Sequence, residues 1–383
     1  MSLSEFGIFS FISSLANLFK SFMSFGGQLY LIYKVSKAKD QKYYYYLKSS
    51  LLSVIIALVI SLCLFFVKLF NQEIINTNHF LFAVLLGSFM VLIQNTYSFF
   101  KGSGAFEKEA KGYFIFLTLI VCSLICFQYN LLVPSLINIL IIVLCIHILL
   151  FIFSTVQLFL YYKKDNSNKE IGKIINDMKG FIKERVPYGF HELQSALYLN
   201  AIIIIMGFLV KEQDLALYRS IQIIIVPISI LPMIFSQVLL KQLTENINNR
   251  VYFNKLFRKF LLFALMTGLL LFTLFYFNGD LIINLFYGER FVEIEYINQL
   301  LLIFASTYLF RFISANYGVL ITAKDKQKIR MYATSALIVV TVTTTILLTK
   351  SLGVLGAAYA NAISYFFIMV VYIIYSEIKL LRN

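Results

Sequence analysis

Charge is what this sequence has least of, and acidic charge least of all. Of its 383 residues only 14% are charged, with 19 Asp and Glu against 33 Lys and Arg. Soluble domains carry about a quarter charged residues, so a water-soluble fold of this length is excluded. Tryptophan is absent, and there are only 4 cysteines, 4 prolines and 3 histidines. Cys63, Cys122, Cys126 and Cys145 all fall inside apolar runs. With neither metal-ligand spacing nor a disulfide framework, they read as small buried hydrophobes. No Gly-rich run ends in Lys-Ser or Lys-Thr, which excludes nucleotide hydrolysis by a phosphate-binding loop. A His/Cys cluster, a serine-nucleophile pattern and paired intramembrane carboxylates are also missing. No catalytic residue, metal or cofactor is therefore expected, and an enzyme is not the expected class.

What is present is hydrocarbon. Hydrophobic residues make up 60% of the chain and aromatic ones 17%, with a mean hydropathy of +0.81. A spanning helix needs about 20 mostly apolar residues. Such runs predict spans at 6–33, 49–70, 80–100, 113–132, 134–162, 188–210, 217–240, 259–277, 296–321, 332–349 and 354–375. The expected class is an all-α polytopic membrane protein of about eleven transmembrane helices. The first run is too long for a cleavable signal core. Alternate loops hold 26 and 5 of the Lys and Arg residues, and Lys20 and Arg311 lie within spans. That asymmetry places the basic loops and the C-terminus in the cytoplasm, and an odd span count then places the N-terminus outside. Basic residues confined to short loops match membrane topology and contact with membrane lipids; no nucleic-acid partner is expected. Richness in Lys, Asn, Ile, Phe and Tyr suggests an AT-rich bacterial genome.

The longest polar stretch, 163–187, spaces Ile171, Ile174, Ile175, Met178, Phe181 and Ile182 among Lys and Asp. It reads as an amphipathic cytoplasmic linker, dividing the chain into lobes at 1–162 and 188–383. The stretch around Asn95, followed by Lys101 to Lys111, is echoed around Asn316, followed by Lys324 to Arg330. Repeated halves about a central pathway are a common build of secondary transporters. The largest outside loop is expected from Asn278 to Glu295, carrying Asp280, Glu289, Glu293 and Glu295.

Charges inside spans are the candidate functional residues, because a central Arg or Lys costs about 2.5–3.5 kcal/mol on insertion scales. Arg311 lies mid-span, too deep to snorkel, and is expected to line a polar pathway; a structural helix pairing is the alternative. Lys20 is the second candidate, although its stem could reach an interface. His191 and Glu192 open the sixth span as interfacial residues or as a protonatable pair. His147 reads as a hydrogen-bonded core residue. Asn200, Gln222, Gln194, Gln237, Gln28 and Asn95 are neutral candidates for a cavity wall or for helix–helix contacts. Pro227 and Pro232 in the seventh span, and Gly26 and Gly27 in the first, are candidate bends.

These landmarks resemble a known family in order along nearly the whole chain. Leu3-Ser4-Glu5-Phe6-Gly7-Ile8-Phe9-Ser10, Phe25-Gly26-Gly27 and the basic loop from Lys34 are similar to the region around its second span. Leu217-Tyr218-Arg219-Ser220, leading into Pro227 and Pro232, resembles its eighth span. Leu285-Phe286-Tyr287-Gly288-Glu289-Arg290-Phe291 resembles its outer loop before the tenth, and Gly353-Val354-Leu355-Gly356-Ala357-Ala358-Tyr359-Ala360 the start of its last. The family is that of bacterial polysaccharide (O-antigen-type) flippases, within the multidrug/oligosaccharidyl-lipid/polysaccharide exporter superfamily. The resemblance implies two lobes around a central cavity and twelve spans, so the first span of that pattern is expected to be missing here.

It also implies alternating-access transport of polyprenyl-diphosphate-linked oligosaccharides across the bacterial inner membrane, for surface polysaccharide or lipopolysaccharide synthesis. Arg311 and Lys20 are expected to attract the diphosphate or acidic sugars into a cationic cavity, and Arg219 is a further candidate for the substrate pathway. Polysaccharide polymerase and chain-length machinery are the implied protein partners. A small-molecule or drug cation antiporter of the same superfamily, which would want a buried carboxylate for ion coupling, and a membrane polysaccharide polymerase are the alternatives.

Overall fold

The computed structural model describes residues 2–37, 42–70, 77–162, 178–294, 296–324 and 326–381. Among them the only regular structure is helix: α1 (Leu3–Ser24), α2 (Gly27–Lys37), α3 (Lys42–Phe70), α4 (Thr77–Gly102), α5 (Phe106–Gln128), α6 (Leu136–Tyr162) and α7 (Met178–Leu209). Then follow α8 (Glu212–Ile225), a 3-10 turn (Val226–Ser229), α9 (Ile230–Glu245), α10 (Arg250–Tyr287), α11 (Glu289–Val292), α12 (Ile297–Ala323) and α13 (Gln327–Ser376). Helix is what hydrocarbon demands, since it satisfies each backbone N–H and C=O within its own segment.

Each of the expected spans falls on these helices. Nine stretches among the described residues are long and apolar enough to cross a membrane unaided. The other two spans are concealed by local geometry. Residues 217–240 are divided by the 3-10 turn into α8 and α9, of 14 and 16 residues. α13 holds two spans, because at Gly353 the backbone adopts φ 59°, ψ −135°. Thr341 Oγ1 donates to Ser364 Oγ at 2.9 Å although 23 residues separate them. In a straight helix they would lie about 35 Å apart at 1.5 Å rise per residue, so the chain turns back at Gly353.

The chain divides into two compact units, Met1–Asn200 and Ala201–Asn383. In the first, α4 is the central helix, packed against α1, α2, α3, α5 and α6. Its Asn95, Thr96 and Ser98 are buried. Glu5 closes a capping box with Ser2 at the start of α1 and also accepts the N–H of Leu136 at 3.0 Å, fastening α1 to α6. In the second unit α12 is central, packed against α8, α9, α10 and α13, and buries Thr307, Ser314 and Asn316. The echoing stretches around Asn95 and Asn316 thus occupy the two central helices. Glu377, just past α13, ties this unit at its other end through Arg258 at 2.6 Å and the Tyr317 hydroxyl at 2.7 Å.

Three expectations are corrected. Residues 278–287 are not loop: α10 continues through a kink at Asn278 to Tyr287, because Leu281, Ile282, Ile283, Leu285 and Phe286 prolong the apolar run. Asp280 therefore sits on a helix and accepts from Asn298 Nδ2. Cys63, Cys122 and Cys145 are exposed rather than buried by protein, since their spans lie at the periphery with apolar side chains outward. Lys48, which precedes the expected span at 49–70 and so counts among the residues of a basic loop, is buried in α3 with its ammonium 4.5 Å from the Tyr44 ring. Of the expected linker, 163–177 lies outside the described residues, and 178–187 forms the first turns of α7.

Candidate functional site

The first unit is organised around an interruption. α1 ends with Phe25 in the left-handed region (φ 42°), and Gly26 follows at φ 76°. A side chain at Gly26 would also overlap the backbone nitrogen of Gly189, so only glycine serves there. The break leaves carbonyls at the end of α1, and an N–H at the start of α2, without helical partners. In hydrocarbon such groups need substitutes.

α7 supplies them. Arg185, completely buried, donates from Nη2 to the Ser24 carbonyl, from Nε to the Phe25 carbonyl at 3.2 Å and from Nη1 to Ser49 Oγ at 3.2 Å. Its guanidinium lies 5.2 Å from the Phe181 ring and 5.7 Å from Tyr30. Seven residues on, hence two turns along the same face, Glu192 accepts the Gly26 N–H at 2.7 Å and the Ser24 hydroxyl at 3.0 Å. The guanidinium meets the negative end of α1 and the carboxylate the positive end of α2, so each charge stabilises a helix terminus.

Polar side chains continue on both sides. Ser49 donates to Asn95 Oδ1 at 3.4 Å, and Asn95 Nδ2 donates to Ser53 Oγ at 3.2 Å. Gly27 is required small, because a Cβ there would come within 2.6 Å of Arg185 Nη2. Toward the chain's basic loop, Glu184 accepts from Lys34 at 2.7 Å and from the Tyr30 hydroxyl at 2.8 Å. The Lys34 bond, with that of Tyr30, holds the Glu184 carboxyl below its ordinary pKa.

A cavity of about 250 Å³ with both polar and apolar walls lies within the same unit, with Lys20, Gln28, Gln94, Tyr97, Lys101 and His147 among its lining residues. Lys20 also lies within electrostatic reach of Glu192. The structure therefore brings Lys20, Gly26, Gly27 and Glu192 together in one unit. His147 bonds through Nδ1 to the Val143 carbonyl at 2.7 Å and meets Phe116 edge-on, and it also borders the cavity.

Arg311, Arg219 and Gln222 stand in the second unit. The Arg311 guanidinium lies 5.5 Å from the Tyr308 ring and 5.7 Å from Tyr365. Such cation–π contacts are worth about 2 kcal/mol when desolvated, enough to offset much of its insertion cost. Arg219 donates to Gln222 at 2.6 Å, and the adjacent Tyr218 feels Arg219, Tyr308 and Tyr365 electrostatically. One cluster of two arginines and three tyrosines results. Asn200 donates to the Ala196 carbonyl of its own helix at 2.9 Å, a local bond. Pro227 lies in the 3-10 turn and Pro232 is buried near the start of α9. The side chains of His191 and Gln237 lie outside the described residues.

Arg185 falls within the polar stretch 163–187, whose sequence reads as a linker. The signal that identifies it is its spacing of seven from Glu192 across Pro187, which puts both charges on one helix face.

Comparison with known proteins places this geometry. A multidrug resistance MATE family transporter of the MOP superfamily, inward-facing, shares the fold with TM-score 0.68 at 12% identity, covering 98% of this chain and 89% of that one. The lipid II flippase MurJ, inward closed, aligns with TM-score 0.66 at 16% identity over 98% and 86%. A MOP superfamily transporter from Pyrococcus furiosus aligns with TM-score 0.55 at 12% identity over 99% and 86%. At such identities the likeness shows the fold alone: an all-α membrane protein of two lobes. No curated protein sequence matches the chain. The model of the polysaccharide biosynthesis protein family matches residues 1–240, more than half of the chain, and the chain belongs to that family.

Proposed function

We propose that the protein is a flippase that carries polyprenyl-diphosphate-linked oligosaccharides across the bacterial cytoplasmic membrane by alternating access, without an enzymatic step. In this reading the basic loops and the C-terminus are cytoplasmic. One observation carries it, within a chain of a polysaccharide biosynthesis family. Around the α1–α2 break, Lys20 and Arg185 both lie within electrostatic reach of one carboxylate, Glu192, which is already held by Ser24 and Gly26. An excess of positive charge in a low-dielectric setting favours an anionic cargo. It disfavours the drug-cation antiporter, which would want a carboxylate free to meet its substrate. Arg311 and Arg219 add cationic charge in the second unit, and guanidinium groups are favoured partners of phosphate.

The test is reconstitution of the purified chain into vesicles with a polyprenyl-diphosphate-linked oligosaccharide in one leaflet. A leaflet-specific sugar label should report exchange well above empty vesicles, and Arg311→Ala should lower the rate at least tenfold. Exchange at the background rate would overturn the reading. In cells, Arg311→Ala at normal protein level should abolish surface polysaccharide.

A further inference from the structure

The cavity inside the first unit has a chemistry of its own, apart from the buried break. Its volume, about 250 Å³, lies just below the roughly 300–1,000 Å³ of pockets for drug-sized ligands. It suits one small ring. Its walls come from α1, α2, α4, α5 and α6 of the same unit.

The polar groups are those that recognise hydroxyls. Gln94 Nε2 donates to Gln28 Oε1 at 2.8 Å. By the inventory of a primary amide, that pair retains donors on Gln28 and an acceptor on Gln94. His147 spends Nδ1 on the Val143 carbonyl, leaving Nε2 for another partner. The Tyr97 hydroxyl is buried and finds no hydrogen-bond partner in the protein. An orphaned buried hydroxyl beside a cavity calls for a ligand group. The rings of Tyr97 and Tyr113, 6.0 Å apart and tilted 39° to each other, supply apolar surface.

Charge defines the ligand further. Lys101 is neutralised by Glu109 at 2.9 Å. Lys20 forms no ion pair with a described carboxylate; the nearby Glu192 is hydrogen-bonded into the α1–α2 break and lies within electrostatic reach of both Lys20 and Arg185. Two cations thus share one carboxylate, and a net positive charge remains beside the cavity. The geometry points to a binding site for a single sugar ring bearing one carboxylate, a hexuronate-type unit, with Lys20 holding the carboxylate and the glutamines, His147 and Tyr97 holding hydroxyls. This deepens the proposed function, on which it rests: the acidic sugar would be a unit of the lipid-linked cargo. A carrier diphosphate, with two or more charges, matches the count less well.

The experiment uses the full chain in detergent micelles with three probes, glucuronate, glucose and pyrophosphate, followed by saturation-transfer NMR and competition. Glucuronate should bind at least tenfold more tightly than glucose or pyrophosphate. Lys20→Met should remove that preference and leave the weak glucose signal, and it should not unfold the protein, because Lys20 makes no ion pair with a described carboxylate and Glu192 keeps its bonds to Ser24 and Gly26. Tyr97→Phe, which removes only the orphaned hydroxyl, should weaken glucuronate several-fold while the melting temperature holds. Equal binding of glucose, tighter binding of pyrophosphate, or glucuronate binding indifferent to both substitutions would each overturn the site. If vesicle translocation persists while glucuronate fails to bind, the site falls and the flippase reading stands. Glucuronate binding without translocation leaves the site and removes the flippase.

Discussion

Arg185 Nε donates to the carbonyl oxygen of Phe25 at 3.2 Å, joining α7 to the point where α1 is interrupted. The bond substitutes for one the helix lost when Phe25 and Gly26 turned left-handed. Glu192 does the same for the N–H of Gly26. A break in a spanning helix thus persists because two opposite charges on another helix satisfy its exposed backbone.

Removing that guanidinium should be severe. Arg185→Leu leaves the Ser24 and Phe25 carbonyls without their donor, and each buried acceptor left unsatisfied costs about 1–3 kcal/mol. Thermal unfolding in detergent should show a fall of many degrees. Arg185→Lys should recover only part of it, because one ammonium cannot span Ser24, Phe25 and Ser49 as the planar fork does. A melting temperature unchanged in Arg185→Leu would show the contact to be incidental.

Gly26 and Gly353 both have positive φ, yet their substitutions should differ. Gly353 sits at φ 59° with open space around its would-be Cβ. Gly353→Ala should therefore carry only the backbone strain, about 1–3 kcal/mol. Gly26→Ala adds an overlap with the backbone of Gly189, so α7 must shift. Its fraction surviving a heat challenge as a monodisperse species should be clearly the lower of the two.

Stability should fall in acid partly through Glu184. Lys34 and Tyr30 depress its pKa in the folded protein relative to an ordinary carboxyl. A depressed carboxyl stabilises above the unfolded value, near 4.3, and that stabilisation disappears as pH falls through the folded value. In Glu184→Gln the melting temperature below about pH 4.3 should decline less steeply than in the parent protein. The difference should be small, since Glu184 is half exposed and Lys34 partly so.

Arg311 offers a direct view of the pathway. An Arg311→Cys protein, with Cys63, Cys122, Cys126 and Cys145 replaced by Ala, should react with a membrane-impermeant thiol reagent, and added lipid-linked oligosaccharide should slow the reaction at least several-fold. A site that never reacts would assign Arg311 to packing against Tyr308 and Tyr365 alone.

The amino-acid sequence by itself determined the membrane class, the positions of the spans and the cationic excess. Each of these depends on local composition: 20 apolar residues in a row leave the backbone no choice but helix. The cations costly enough to notice, Lys20 and Arg311, were legible because their neighbours along the chain are apolar. Arg185 was not legible in this way, since its neighbours along the chain are polar and its burial comes from Phe25, Tyr30 and Ser49, far away in sequence. The same holds for Lys48 and for the cavity around Gln28, Gln94 and Tyr97. Only tertiary structure decided which polar residues of separate helices line one cavity, because that depends on how helix faces pack and not on what each helix contains.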